Sequence, residues 1–164
     1  MSYPEPKYFG ADGEFSAVLR RSDRPYDLEI GTGGTQVHYL ATAAATKGEF
    51  GLYRCDFTGP PSGPEPHFHK TISESFYVLS GTLQLHDGKR WADAGPGDYL
   101  FVPEGGIHGF RNDSGQPASM LLLFAPGAPR EGYFEGLAEW EVTGDRPSAE
   151  ELEEFMLRHD TYWL

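Results

Sequence analysis

Apolar residues in this chain come in short runs, and glycine, proline, asparagine and aspartate cut between them. Runs of this length cannot bury themselves as helices, which need about ten residues or more to present an apolar face. They can bury themselves as strands paired in a sheet, with turns at the breaks. Thr35 to Thr42 and Glu49 to Phe57 are two such runs, and Tyr53, Cys55 and Phe57 share one face of the second. GPPSGPEP, residues 59 to 66, is a loop. Strands are then expected at His67 to Lys70, Ser73 to Leu79, Thr82 to His86, Lys89 to Ala92, Tyr99 to Val102, His108 to Asn112 and Ala118 to Ala125. Asp87-Gly88 is a hairpin turn. So many short strands predict an all-β sandwich or barrel.

The ends read differently. The first thirty or so residues mix aromatics, prolines and charges without a period, which predicts an arm with one or two short strands, around Phe15 to Leu19. At the other end, Pro147 precedes a capping box at Ser148 and Glu151. Leu152, Phe155 and Met156 then recur at helical spacing, so one C-terminal helix is expected from about Ala149 to Arg158. Between barrel and helix, Pro126 to Leu137 reads equally as a lid or as an ordinary connector with a short helix. The expected layout is one domain over 1–164: an arm to about 34, a barrel over 35–125, and a C-terminal loop and helix over 126–164.

Charge and cysteine content narrow the function. A net charge of −12 repels phosphate backbones and anionic lipid, so neither nucleic acid nor a membrane surface is an expected partner. The single cysteine, Cys55, cannot form an internal disulfide and reads as a small core residue. Met1 to Gly10 lacks a basic segment followed by an apolar stretch, so no signal peptide is expected, and the expectation is a cytoplasmic protein.

The chemistry concentrates in His67-Phe68-His69 and Glu74. Residues i and i+2 of a strand face the same way, so both imidazoles project into one volume. A turn through Thr71 and Ile72 lets Glu74 reach it from the next strand. Two imidazoles and a carboxylate make a first-row transition-metal site, and His108, after Pro103-Glu104-Gly105, can supply a third imidazole. His38, His86 and His159 read as structural or exposed, Glu104 and Asn112 as turn residues.

Two segments carry a family resemblance. In HFHKTISESFYVLSG, His67 to Gly81, two histidines are separated by one residue, a glutamate follows after four more, and a glycine after a further six. This resembles the first motif of the cupin superfamily. GDYLFVPEGGIHGFRN, Gly97 to Asn112, resembles the second, with Gly97, Pro103, Gly105, His108 and Asn112 each in register. One position departs: the first motif usually opens on a glycine where this chain has Pro61, between Gly59 and Gly63. The first motif is also similar to that of quercetinase-type monocupins, which open flavonols with O2.

The resemblance implies a cupin, a double-stranded β-helix or jelly-roll barrel, with one divalent metal (iron, manganese, nickel, copper or zinc) on His67, His69, Glu74 and His108. It implies a homodimer. By parity Phe76 and Val78 face inward with Glu74, and Phe110 with His108, giving an apolar surround for a small substrate. The leading expectation is a dioxygenase acting with O2 on a flavonol-like, enediol or enolate substrate, with Glu74 as general base. A Lewis-acid isomerase or lyase and a non-catalytic small-molecule binder are the alternatives.

Overall fold

The computed structural model describes residues 2–164. Eleven strands and two helices follow in the order β1 (Leu28–Ile30), β2 (Thr35–Ala41), β3 (Gly51–Phe57), β4 (His67–Phe68), β5 (Ser73–Ser80), β6 (Leu83–His86), β7 (Trp91–Ala94), β8 (Tyr99–Val102), β9 (Gly109–Arg111), β10 (Ala118–Ala125), α1 (Glu131–Thr143), α2 (Ala149–Arg158) and β11 (Tyr162–Trp163). A six-stranded sheet runs β1-β2-β3-β10-β5-β8, a three-stranded sheet β7-β6-β9, and a two-stranded one β11-β4. All pairings are antiparallel. The sheets do not close into a continuous barrel; they form a jelly-roll.

Period-two patterning sets the core. β3 buries Gly51, Tyr53, Cys55 and Phe57, and β10 buries Ala118, Met120, Leu122 and Phe124. Leu83 and Leu85 of β6 join them from the smaller sheet. Each fully buried large side chain contributes about 1.5–3 kcal/mol of apolar transfer. Burial pushes the Cys55 thiol well above its ordinary value, so it behaves as a packing residue.

Turn chemistry trims the expected strands. Asp87 Oδ1 accepts from the Lys89 and Arg90 amides at 2.9 and 3.0 Å. Lys89 and Arg90 therefore belong to the turn, and the return strand starts at Trp91, paired with His86. At Gly81 φ is +72°, and a Cβ there would sit 2.5 Å from the Pro117 carbonyl oxygen and 2.7 Å from Ala118 Cβ. Glycine is the residue that permits both the left-handed turn and this approach.

Three expectations change. Phe15 to Leu19 forms no strand; Phe15 and Val18 are fully exposed, because no neighbouring strand offers them a ladder. There are two C-terminal helices. The expected one is α2, with both hydrogen bonds of its capping box made. The other, α1, occupies the segment that sequence left open between lid and connector. Its glycines lower its intrinsic helix preference, and packing restores it. A Cβ on Gly136 would fall 2.4 Å from the Phe155 ring, so glycine lets α2 close on α1. Tyr133 stacks on Phe155 at 5.8 Å, and Trp140 meets the same ring at 4.5 Å. After α2 the chain returns as β11 and pairs with β4. That strand is absent from the sequence-based layout.

Candidate metal centre

Two backbone features deliver the histidines. His67 and His108 form a β-bridge, each amide donating to the other's carbonyl, at 2.8 Å and 2.9 Å. The first motif is thereby clamped to the second. His69 extends beyond β4, and its carbonyl accepts from the Gly105 amide at 2.6 Å. Glu74 comes from β5, on the inward face it shares with Phe76 and Val78.

His67, His69, Glu74 and His108 converge, all four buried, with one potential ligand atom from each lying within 4.8 Å of all the others. Every imidazole spends its Nδ1–H on a backbone carbonyl. His67 donates to Glu65 at 2.9 Å, His108 to Gly106 at 2.9 Å, and His69 to Asp160 at 2.5 Å. This fixes the tautomer and leaves Nε2 as the atom that could ligate. Glu74 Oε2 lies 3.1 Å from His69 Nε2 and 2.8 Å from His108 Nε2.

The electrostatics suit a cation. Burial pushes the His67 imidazolium down to about 4, with the His108 charge adding to the effect, so this ring is neutral at pH 7. Burial alone would raise the Glu74 carboxyl, but hydrogen bonds from His108 and His69 outweigh it and hold the group well below the usual range. Burial disfavours His108 imidazolium as well, yet its hydrogen bond to Glu74 outweighs this and raises its proton affinity. With Nδ1–H donated, His69 and His108 face the Glu74 carboxylate through Nε2, an arrangement that requires a proton on Nε2 or a metal ion to be favourable. Three imidazoles and one carboxylate are a donor set that first-row metals take, so the residues present fit such an ion.

Phe76 borders the cluster, its ring 5.7 Å from that of His108, and Phe110 stands behind it, 5.6 Å from Phe76. Val78 lies two residues further along β5, opposite Met120. The other histidines stay away from the cluster. His38 is buried against Asp56 at 2.9 Å, His86 packs on Trp91, and His159 packs on Phe155. Asn112 is buried in its turn, donating to the Gln116 carbonyl at 2.8 Å.

Sequence reasoning missed the contribution of the C-terminal segment. Asp160 supplies the carbonyl that orients His69. Trp163 sets its ring 5.5 Å from His67. Arg130, at the start of α1, is buried and donates to the His159 carbonyl at 2.6 Å. The local cue was the aromatic pair Tyr162-Trp163; nothing near it in sequence names β4 as its partner. Among the described residues, no helix is long and apolar enough to cross a membrane.

Comparison with known proteins agrees with this geometry. Residues 57–124 match the cupin domain family. The chain is 32% identical over 122 residues to quercetin 2,3-dioxygenase of Bacillus subtilis, a match covering 70% of this chain and 35% of that protein. A second curated relative, an uncharacterised protein of Aquifex aeolicus, is matched over 50% of its length; the chain thus spans half or less of these relatives. Among solved structures, the polyketide cyclase RemF from Streptomyces resistomycificus superposes with a TM-score of 0.56 at 27% identity, over 69% of this chain and 81% of that one. A predicted oxalate decarboxylase from Thermotoga maritima superposes at 0.57 and 22% identity, over 67% and 99%; at that identity the likeness is one of fold. Motif register and jelly-roll topology agree with the match of residues 57–124 to the cupin domain family.

Proposed function

We propose that His67, His69, Glu74 and His108 hold one divalent transition metal, and that the protein is a dioxygenase adding O2 to a small flavonol-like, enediol or enolate substrate. The observation that carries this reading is the buried quartet with all three Nδ1 atoms committed to carbonyls. The 32% identity to a quercetin dioxygenase supports the choice of reaction. When bound, iron, manganese, nickel or copper supplies open coordination positions and an electron path between substrate and O2.

The chain's own residues do the rest. The Nδ1 hydrogen bonds hold three imidazoles in place. Glu74, the one carboxylate of the set, accepts the proton of the substrate hydroxyl and leaves the more nucleophilic anion. Phe76, with Phe110 behind it and Val78 deeper along β5, provides an apolar wall for a flat substrate.

The test is elemental mass spectrometry on the purified protein beside a His67→Ala, His108→Ala double variant, followed by oxygen uptake with flavonols. Near-stoichiometric redox metal, lost in the variant, is expected. Glu74→Gln should retain much of the metal and lose turnover by about 10²-fold or more; full activity would remove Glu74 from the mechanism. A second reading, a non-oxidative enzyme using the metal as Lewis acid, is favoured by the likeness to a polyketide cyclase. Zinc content without oxygen uptake would select it.

A homodimer is part of the same proposal. Tyr77, Tyr99 and Phe101 lie together on the outer face of β5 and the edge strand β8, all at least 43% exposed. Sedimentation should give a dimer, and Phe101→Glu should shift it towards monomer.

A further inference from the structure

Arg130 is 5% exposed and has no carboxylate within ion-pair distance among the described residues. Nη1 donates to the His159 carbonyl, while Nε is buried with no partner at all. The guanidinium lies 4.1 Å over the Tyr133 ring and 5.1 Å from that of Phe124. Those π faces offset part of the cost of burying a cation, but a guanidinium offers five N–H donors and a buried charge without a counter-charge is expensive. Such a group is retained where an anion comes to it.

Its location says which anion. Phe124 is the ladder partner of Glu74 on β10, and its ring lies 6.4 Å from that of His69. The Phe124 ring therefore borders both Arg130 and the quartet. Tyr133 is buried beside Arg130, its ring under the guanidinium. His159 faces Tyr133 at 5.8 Å. Trp163 and β11 close the side near His67.

We propose that Arg130 is the anion-binding residue of this site, holding a carboxylate or enolate oxygen of a small substrate whose remaining oxygens face His67, His69, Glu74 and His108. The inference rests on the metal-site reading and narrows its substrate class to anions. The guanidinium gives a planar, two-pronged grip that an ammonium would not reproduce, and Tyr133 supplies a flat face beside it.

The experiment titrates oxalate, a small dianionic chelator, into cobalt-loaded protein and follows the visible spectrum of the ion. Imidazole serves as a neutral ligand for comparison. Arg130→Met and Arg130→Gln should keep stoichiometric cobalt and wild-type imidazole affinity, and bind oxalate about 10- to 100-fold more weakly. Arg130→Lys should fall between. Gln is included because it can still donate to the His159 carbonyl if Met compromises folding. Unchanged oxalate affinity in folded variants, with only a lower melting temperature, would overturn the proposal and leave Arg130 as a tie between α1 and the end of α2. Cobalt bound but no oxalate binding by the wild type would overturn it too, while leaving the metal reading intact. If no metal binds, the metal reading fails separately, and melting of the metal-free protein with oxalate decides the subsite. A rise in melting temperature that Arg130→Met abolishes would support it, and no rise would end it.

Discussion

Asp160 shows how much a single residue can carry without being a ligand. It holds a left-handed backbone, φ 53°, which costs a non-glycine residue about 1 kcal/mol or more. Its carbonyl takes the His69 proton, and its carboxylate accepts from the Lys70 and Thr71 amides and the Thr71 hydroxyl, the last at 2.7 Å. One residue thus fixes both the ring of His69 and the turn between His69 and Glu74. Asp160→Ala should lower metal affinity about 10- to 100-fold, read by competition with a chromogenic chelator; unchanged affinity would reduce Asp160 to a loop tie. The candidate ligands were legible because i, i+2 spacing put His67 and His69 on one face and the two motifs pointed to Glu74 and His108. Asp160 and Arg130 were not, because their contacts belong to no local period: His69 and Asp160 stand 91 residues apart.

At the scale of elements, legibility followed the turns. β6 and β7 were readable because Asp87-Gly88 marks their hairpin, and α2 because its cap is written in Ser148 and Glu151. α1 was obscured by the glycines that let α2 pack against it, so the feature that stabilises the helix pair in three dimensions weakens the signal in one. β11 was hidden because two residues are too few to show alternation. The β5–β6 turn gives the sharpest element-level prediction. Gly81→Ala must abandon a φ of +72° or push into Pro117 and Ala118, and should destabilise the protein by about 2 kcal/mol or more in urea denaturation. A loss below about 0.5 kcal/mol would mean the turn relaxes freely.

For the whole molecule, the quartet makes stability without metal depend on pH. His67 binds its proton near 4 when folded and at 6.5 when unfolded, so between these values the unfolded chain holds more protons and stability rises with pH. His108 is raised, so its contribution is present below 6.5 and is lost as pH rises through its folded value. Metal-free protein should therefore be most stable near pH 6.5, the difference amounting to a few kcal/mol at most, and urea midpoints across pH 4–8 would show it. A stability that climbs steadily to pH 8 would contradict this assignment. The jelly-roll as a whole was legible from the rhythm of runs and turns; the arm was legible only in part, since β1 pairs with β2 while the residues before it meet no partner strand.

The clamp between His67 and His108 also fixes an order in time. His108 reaches Glu74 across 34 residues of chain and His69 reaches Asp160 across 91, and closing loops of that length comes late in folding. Three of the four candidate ligands lie within residues 67–74, so the late step is the arrival of His108 and Asp160 rather than the gathering of the first three. On the metal-site proposal, uptake by the complete quartet during refolding would then follow, rather than lead, the burial of Tyr53 and Phe124.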